Sequence, residues 1–324
     1  MMDVVGAETT AYRTVTEACG LLDRSERGKL ALTGSEAKSF LQGQVSNDVE
    51  RLAQGEGCYA AFLTPKGKML GDLRILDAGD ELLLDTERVA LQELFNMIRR
   101  YSVGYEVQLH KRTLERCLFS LIGPASDELL VGLPEREHAH VLVDLEGVRA
   151  RAIRTDVGID LLAPGDSVEP VRAELERRGA VPIPEAVAEC VRIERGRPRY
   201  GIDLDDSVIP QEAGLNERAV SFTKGCYVGQ ETVARLYYRG KPNRQLRGLR
   251  LSGSASVGDE LRVGDRTVGT LTSVAESPRL GSIALALVRR EASPGATVQV
   301  GEGDVQAEVV ELPFAAALYD RPSG

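Results

Sequence analysis

The spacing of hydrophobic positions changes several times along the chain, and the first change predicts a short helix. Ala37, Phe40 and Leu41 share one helical face after the polar run Thr33-Gly34-Ser35, and Gly43 follows them. Ser35 stands where an N-cap residue accepts a backbone hydrogen bond. We therefore expect a helix that begins near Ser35 and ends at Gly43.

Strand signals follow this helix. Residues 57–85 alternate in three short runs, which are separated by the turns Thr64-Pro65-Lys66-Gly67 and Asp77-Ala78-Gly79-Asp80. This pattern predicts a meander of antiparallel strands. Apolar residues at helical spacing in 89–98 then predict a second helix, and the alternation in 103–109 predicts a further strand.

The middle of the chain again mixes strands with a helix. Residues 117–122 and 148–162 are typical of strands, and residues 168–178 have the pattern of an amphipathic helix. Regular alternation of strand and helix is missing, which argues against a doubly wound parallel sheet. The predicted fold class is α+β, with two subdomains in one body.

Helical spacing disappears after Gly240-Lys241-Pro242. Short strands separated by the turns Gly258-Asp259 and Gly264-Asp265 predict a C-terminal antiparallel β-barrel of about six strands over residues 246–312. The predicted divisions are a body of residues 1–240, made of subdomain one (about 1–110 plus 185–240) and subdomain two (about 111–184), and a barrel domain of residues 241–324.

Composition and charge narrow the class of protein. The chain has 324 residues, of which 43% are hydrophobic and 27% charged, as in soluble globular proteins. A formal net charge of -9 argues against general binding to nucleic acid, because non-specific affinity for phosphates comes from basic surface. No apolar run has the length of a membrane span or the form of a secretory signal. We expect a cytoplasmic protein without a nucleic-acid or membrane partner.

Cysteine and histidine positions indicate no metal site. The five cysteines are Cys19, Cys58, Cys117, Cys190 and Cys226. Their number is odd and no pair has C-x-x-C spacing, which is typical of reduced thiols in a cytosol. The histidines at 110, 138 and 140 also lack the spacing of metal ligands, and we expect His138 and His140 at the surface.

One loop carries candidate chemistry around Cys226. Lys224 precedes this thiol by two residues, and a helix is predicted to open near Gly229. A neighbouring cation and a helix N-terminus both favour thiolate over thiol. Gly225 and Gly229 suit a loop that is shaped around a ligand. A small buried hydrophobe in a glycine-rich turn is the alternative, and the loop by itself leaves both interpretations open.

The same loop carries a family resemblance. Residues 224–231 read Lys-Gly-Cys-Tyr-Val-Gly-Gln-Glu, which resembles the signature of the YgfZ-type folate-binding proteins, relatives of the glycine-cleavage T-protein. Residues 40–48 resemble an N-terminal motif shared with T-proteins, and residues 192–203 followed by 209–213 agree in order and spacing. The resemblance implies an aminomethyltransferase-like, folate-binding α+β body of two subdomains plus the barrel. It also implies tetrahydrofolate, or a one-carbon-substituted reduced folate, in a channel between these units.

Residues 66–73 resemble a T-protein motif in which two adjacent acids follow a Gly-Gly turn. Here Gly71 takes the place of the first acid and Asp72 that of the second. The resemblance implies that Asp72 lies near the reactive N10 side of the folate, where a carboxylate can act as a general base or stabilise a cation. A solvated acid on the exposed face of a hairpin is the alternative.

Glu194 stands where T-proteins use a glutamate to accept hydrogen bonds from the pterin. Two charge-assisted hydrogen bonds can hold a buried carboxylate ionised, so the pairing is chemically sound. An ordinary ion pair with Arg192 or Arg197 is the alternative.

Basic residues concentrate in two segments of this acidic chain, and one segment directly follows the cysteine loop. Arg235 and Arg239 are candidates for pairing with the carboxylates of the folate glutamate tail, because arginine presents a planar fork of donors. A solvated face is the alternative for each arginine. From the resemblance, Tyr227 and Gln230 are also expected among the folate-binding residues.

Three functions are compatible with these motifs. The YgfZ resemblance implies a folate-dependent factor for maturation or repair of iron-sulfur enzymes, with those enzymes or cluster-assembly proteins as partners and Cys226 as the working thiol. A tetrahydrofolate-dependent aminomethyltransferase or other one-carbon transferase would use Asp72 and Glu194 and would need no thiol. A folate-sensing module would need only the cavity. The motifs leave open whether the protein is an enzyme.

Overall fold

The computed structural model of the protein describes residues 2–314, with side chains from residue 9 onward. Its helices are α1 (Met2–Glu17), α2 (Ala37–Gln42), α3 (Leu91–Tyr101), α4 (Val168–Arg177), α5 (Glu185–Glu194), α6 (Asn216–Ala219) and α7 (Gln230–Arg239). Its strands are β1 (Gly20–Asp23), β2 (Gly28–Thr33), β3 (Gly57–Leu63), β4 (Met69–Asp77), β5 (Leu82–Thr86), β6 (Gln108–Lys111), β7 (Arg116–Ile122), β8 (His140–Leu145), β9 (Val148–Arg154), β10 (Gly158–Pro164), β11 (Val181–Pro182), β12 (Arg244–Leu251), β13 (Glu260–Val263), β14 (Arg266–Ser277), β15 (Gly281–Arg289), β16 (Thr297–Val300) and β17 (Gln306–Val310). No helix within these residues is long and apolar enough to cross a membrane.

The first sheet has five antiparallel strands in the order β3-β4-β5-β2-β6. Its first three strands form the predicted meander. The tight turn after β3 contains Gly67, whose φ of 76° glycine tolerates. Helices α2 and α3 cover one face of the sheet, where Phe40, Leu94 and Ile98 are fully buried. The polar residues of β4 and β5 therefore lie toward the rest of the molecule.

The second sheet has six strands in the order β11-β1-β7-β10-β9-β8. Strand β1 runs antiparallel to β7 and parallel to β11. The core beneath α4 contains Phe119, Leu161 and Leu175. The predicted division differs from these sheets in one place: Gly20–Asp23, which we counted with subdomain one, belongs to the second sheet.

The C-terminal strands close into a six-stranded barrel in the order β12-β15-β14-β13-β16-β17, and all their pairings are antiparallel. Apolar side chains such as Leu249, Leu261 and Ala284 alternate inward and fill it. The predicted α+β class with a C-terminal antiparallel barrel is thus confirmed.

Helix α5 joins the units. Val187 and Val191 pack with Tyr12 of α1, and Ile193 packs with Ile283 of the barrel. Residues after the helix return to the first sheet, where Arg199 forms an ion pair with Glu87. The helix and its C-terminal extension therefore border the space between the two sheets.

Two local predictions differ from the structure, and one helix was not predicted. Ser35 does not cap α2, since its hydroxyl donates to Glu106 and the N-cap residue is Glu36. The strand predicted over 103–109 is shorter and later, because a turn at Gly104 with a φ of 93° breaks the alternation. Helix α1 was not predicted, because its segment lacks a continuous apolar face.

Candidate functional site

A cavity of about 260 Å³ lies between the two sheets and α5. The first sheet contributes Tyr59, Asp72, Arg74 and Asp85, and the second contributes Ser120 and Asp160. The segment after α5 contributes arginines at 195, 197 and 199, and Arg218 comes from α6. Many charged side chains thus border a cavity that three parts of the fold enclose.

Asp72 occupies the cavity side of β4. In the antiparallel register it lies opposite Ala61, while Tyr59 lies opposite Arg74, so Tyr59 and Asp72 are diagonal neighbours on one face. The Tyr59 hydroxyl donates a hydrogen bond to Asp72 Oδ2 at 2.7 Å. Asp72 is 5% exposed, which makes it a buried acid with one strong donor. The alternative of a solvated hairpin acid does not match this burial.

Burial raises the pKa of Asp72 to about 6, although the hydrogen bond from Tyr59 acts in the opposite direction. Burial and the adjacent carboxylate together raise the pKa of Tyr59 well above its usual range, so this phenol stays protonated. A carboxyl group that titrates near neutrality can accept and release a proton under physiological conditions. Asp72 has the properties of a general base in a partly closed site.

Ion pairs fix the floor of the cavity. Arg74 contacts Asp85 and Asp160 at 2.7 Å each, and so links the first sheet to the second. The cross-strand register places Arg74 opposite Asp85, which explains that contact. Arg27 binds Asp85 at 2.8 Å. Burial alone would raise the pKa of Asp85, but the adjacent cations Arg27 and Arg74 lower it. The charged groups near Asp72 are therefore already paired with one another.

A second group of charges lies where the segment after α5 meets the second sheet. Arg195 and Arg197 both bind Asp156, at 3.1 Å and 2.7 Å. Arg218 pairs with Glu137, and its guanidinium lies 5.5 Å from the centre of the Tyr59 ring. This end of the cavity is therefore rich in arginine.

The surface placement of His138 and His140 was wrong. His140 is buried, and its Nδ1 accepts a 2.8 Å hydrogen bond from the Arg151 guanidinium, while His138 lines the cavity. Burial lowers the pKa of both rings to about 4, so each imidazole is neutral at pH 7. His138 also adopts a φ of 68°, which is rare for a residue other than glycine.

Glu194 has partners other than those predicted. Its carboxylate is fully buried, and Oε1 accepts hydrogen bonds from Tyr12 at 2.8 Å and from Ser277 at 2.5 Å. It does not line the cavity between the sheets. Glu194 thus joins α1, α5 and the barrel, and its role toward a pterin stays a prediction.

Lys224 is directed away from the thiol that it was expected to activate. Its Nζ donates hydrogen bonds to the carbonyl oxygens of Gln42, Val45 and Asn47 at 2.5, 2.7 and 2.9 Å. Burial lowers the pKa of Lys224 to about 8, which still leaves most of it as ammonium at pH 7. These contacts join residues 42–47 to the cysteine loop, so the lysine holds two sequence motifs together.

The cysteine loop is anchored on both sides of Cys226. Tyr227 is buried in a cluster with Leu204 and Val208, and burial raises its pKa to about 12. Gly229 has a φ of 85°, and a Cβ there would lie 2.6 Å from the carbonyl oxygen of Thr64. Cys226 itself is exposed. The loop therefore presents this thiol at the surface and not into the cavity.

The other four thiols contrast with Cys226. Burial raises the pKa of Cys19 and of Cys58 to about 12, and it raises the pKa of Cys117 and of Cys190 above the usual range. Thiolate chemistry at neutral pH is thereby suppressed at these four positions.

The remaining predicted residues lie on α7. Gln230 begins the helix and is half-buried, whereas Arg235 and Arg239 are exposed and form no ion pair with a described residue.

Of the predicted site residues, all within residues 2–314, Asp72 lines the cavity and the others do not. Sequence reasoning missed Tyr59, His138 and Arg218. The available signal of a cavity was a group of polar residues on one face of two apolar strands, namely Tyr59, Asp72 and Arg74.

Comparison with protein families finds two matches that cover most of the chain. Residues 1–224 match the GCVT N-terminal domain, and residues 244–315 match the glycine cleavage T-protein C-terminal barrel domain. The boundaries agree with the observed barrel, which begins at Arg244.

Individual relatives agree with these matches. A chloroplastic protein of Arabidopsis thaliana, whose name assigns it provisionally to the transferases, is 31% identical over 92% of this chain and 72% of its own. An aminomethyltransferase of Rubrobacter xylanophilus is 28% identical over 99% of this chain and 88% of its own. The crystal structure of the glycine cleavage system aminomethyltransferase T of Bartonella henselae superposes with a TM-score of 0.85, at 22% identity, over 97% of this chain and 91% of that one. This last similarity concerns the fold.

Proposed function

Because the chain belongs to the glycine-cleavage T-protein family, we propose that its cavity binds a reduced folate and that Asp72 takes part in one-carbon chemistry there. The buried, proton-accepting Asp72 carboxyl group beside Tyr59 carries this proposal. Bound tetrahydrofolate would supply the nitrogen atoms that carry a one-carbon unit.

The hydrogen-bonding groups and the size of the cavity fit such a ligand. Asp72 offers carboxylate oxygens to an N–H group, and burial strengthens that contact. The cavity of about 260 Å³ suits a bicyclic ring, while a longer tail must extend beyond it. Tyr59 holds the carboxylate in place through its hydroxyl, so the proton acceptor is oriented before a ligand arrives.

Titration calorimetry with tetrahydrofolate and with 5-formyltetrahydrofolate tests the binding step. We expect heat of binding for the wild-type protein, and weaker binding for Asp72→Asn. Matched assays for a one-carbon product should show a loss of turnover in Asp72→Asn that exceeds its loss of affinity. Absence of binding to any reduced folate at high micromolar concentration would exclude the folate assignment.

A second candidate is a folate-dependent role in maturation or repair of iron-sulfur enzymes, as in the YgfZ type that the residue 224–231 string resembles. The exposed thiol of Cys226 favours it, because a thiol outside the cavity can reach a protein partner but not a ligand beside Asp72. A single thiol cannot hold a cluster alone, so a partner must supply the other ligands.

Two variants separate these candidates in a deletion strain. If the iron-sulfur role is correct, Cys226→Ser abolishes the activity of dependent iron-sulfur enzymes and leaves folate affinity nearly unchanged. If one-carbon transfer is the main function, Asp72→Asn removes the product while Cys226→Ser retains it. Full folate affinity with neither loss would favour a sensing module.

A further inference from the structure

Two exposed tyrosines at the end of α7 form an aromatic cluster with a residue of the cysteine loop. Tyr237 stacks on Phe222 of that loop, with ring centres 3.8 Å apart and an angle of 18° between the ring planes. Tyr238 meets Tyr237 edge to face at 5.0 Å. Tyr237 is 49% exposed and Tyr238 is 66% exposed. Clusters of large aromatic side chains at the surface mark sites of interaction with other molecules.

Basic side chains flank this aromatic cluster. Arg235 lies before the two tyrosines, Arg239 follows them directly, and Lys241 comes two residues later. All three are exposed, and none forms an ion pair with a described residue. Helical spacing puts Arg235, Tyr238 and Arg239 on one face of α7, and Glu231 is the single carboxylate of the helix. This face is therefore basic, although the whole chain has a net charge of -9.

Cys226 lies close enough to this face to share one interface with it. The thiol follows Phe222 by four residues, and four residues of chain span at most about 14 Å. A standard interface covers about 800 Å² of each partner, which corresponds to a disc with a radius of about 16 Å. A partner protein centred on the aromatic cluster can therefore also reach the exposed thiol.

We propose that the outer face of α7 docks an acidic segment of a partner protein and brings that partner to Cys226. We call this face the α7 surface, and its residues are Phe222, Arg235, Tyr237, Tyr238 and Arg239. Carboxylates of the partner pair with the two guanidinium groups, and an apolar side chain of the partner packs on Tyr238. The proposal concerns a surface outside the cavity and does not depend on what the cavity binds.

The residue types and their arrangement suit a protein interface. Tyrosine and arginine are enriched among the residues that contribute most to binding between proteins. The stack on Phe222 already holds the ring of Tyr237 in place, so docking costs little side-chain freedom there. The free arginines give up no partner among the described residues when they bind a carboxylate.

Nucleic acid is the other anion that arginines and aromatic rings bind, and two observations favour a protein. Every nucleotide carries a phosphate charge, which a chain of net charge -9 repels, whereas a protein can present one short acidic segment. Phe222 and Tyr237 already cover one face of each other at 3.8 Å, while base stacking needs open ring faces. The α7 surface is therefore better suited to an acidic protein segment.

Binding of short synthetic peptides to the full-length protein tests the docking step by fluorescence anisotropy with an uncharged dye. The acidic peptide contains several glutamates around a central leucine, and its control has glutamine in place of every glutamate. We expect the acidic peptide to bind about tenfold or more tightly than the control at low salt, and the preference to disappear at high salt. The net charge of the protein alone predicts the opposite order.

Three variants assign this preference to the α7 surface. Arg235→Gln/Arg239→Gln should reduce the preference for the acidic peptide to near unity. The matched control is Arg149→Gln/Arg279→Gln, which removes two exposed, unpaired arginines from β9 and from the turn between β14 and β15, and it should keep the preference. Tyr238→Ser should remove the advantage of a central leucine over a central glycine while the preference for glutamate remains.

A second readout tests whether docking reaches Cys226. Each peptide carries a terminal cysteine as a mixed disulfide with thionitrobenzoate. The Cys226 thiol loses its proton to solvent and its sulfur attacks the peptide sulfur, so a disulfide to the peptide forms and thionitrobenzoate leaves with the electron pair of the broken bond. Its absorbance should appear about tenfold or more faster with the acidic peptide than with the glutamine control. Cys226→Ser should abolish this difference.

Each other outcome contradicts a specific part of the proposal. Equal binding of the acidic and glutamine peptides would refute the docking surface, and an equal loss in the control variant would attribute the preference to net charge. Tighter binding of oligouridylate, lost in Arg235→Gln/Arg239→Gln, would assign the surface to RNA. Binding without faster exchange would refute the link to Cys226. Weaker binding of 5-formyltetrahydrofolate in the same double variant would assign α7 to the folate tail instead. Failure of peptide binding leaves the role of Asp72 intact, and circular dichroism checks that each variant is folded.

Discussion

Asp72→Asn is expected to stabilise the folded protein at neutral pH. The buried carboxyl group of Asp72 has a pKa of about 6, above its ordinary value of 3.8. The folded state therefore binds the proton more tightly than the unfolded state does, and ionisation of Asp72 opposes folding. Asparagine has nearly the same shape and can still accept the hydrogen bond from Tyr59, but it carries no charge.

The size of the effect follows from the two pKa values. A pKa difference between 3.8 and about 6 corresponds to about 3 kcal/mol, at about 1.4 kcal/mol per pKa unit. The cost is fully present above the folded pKa, decreases as the pH falls below it, and is about 1 kcal/mol at roughly pH 4.5. The Asp72→Asn protein should therefore exceed wild type by up to about 3 kcal/mol near pH 7.5 and by about 1 kcal/mol near pH 4.5.

Urea denaturation of both proteins at these two pH values measures the difference directly. Asp85→Asn is the matched control, because Asp85 lies on the neighbouring strand and Arg27 and Arg74 lower its pKa. This control should lose about 3 to 5 kcal/mol at neutral pH, since the buried Arg74 and the half-buried Arg27 lose a shared partner. An Asp72→Asn protein that is no more stable than wild type near pH 7.5, or whose advantage grows at acid pH, would refute the reasoning.

Three further predictions concern the cysteine loop. Alkylation near pH 7 should label Cys226 before the other four cysteines, because it alone is exposed and burial raises the pKa of the rest; peptide mass mapping of a time course would show equal rates if this is wrong. Lys224→Met should cost about 2 to 4 kcal/mol, because three carbonyl oxygens lose their donor, whereas Lys241→Met on the exposed surface should be neutral in the same denaturation assay. Gly229→Ala should cost about 1 to 3 kcal/mol, because its Cβ meets the Thr64 carbonyl at 2.6 Å in a left-handed backbone, while Gly225→Ala meets nothing; equal melting temperatures for the two variants would contradict the loop geometry.

The sequence predicted the elements whose pattern is local. The meander of β3, β4 and β5 follows from alternation and turn residues, and the barrel follows from short strands with Gly-Asp turns. Strand β1 escaped prediction, because its pairing partners β7 and β11 lie far along the chain. Local propensity carries no information about such pairings.

The candidate site was predicted less completely than the fold. Asp72 lines the cavity, and its place beside a folate stays a prediction. Residues near Asp72 in the sequence give no sign of Arg218, which approaches Tyr59 from α6. Lys224 was paired with Cys226 on the basis of two-residue spacing, yet a loop that turns between them sends the ammonium to residues 42–47. Proximity in a loop does not fix where a long side chain points.

The shared carboxylate of Glu194 sets an order of assembly for the nascent chain. Its partner Tyr12 precedes it by 182 residues and Ser277 follows it by 83, so a ribosome must finish the first three of the six barrel strands before both hydroxyls are available. The first sheet, built from residues 28–111, can close long before then. A chain released ahead of the barrel would keep a buried carboxylate with only one of these two hydroxyl donors, and the apolar side of Ile193 would have no cover. Quality-control proteases would therefore meet the incomplete product through the uncovered apolar surface at Ile193, which the barrel strands cover in the longer chain.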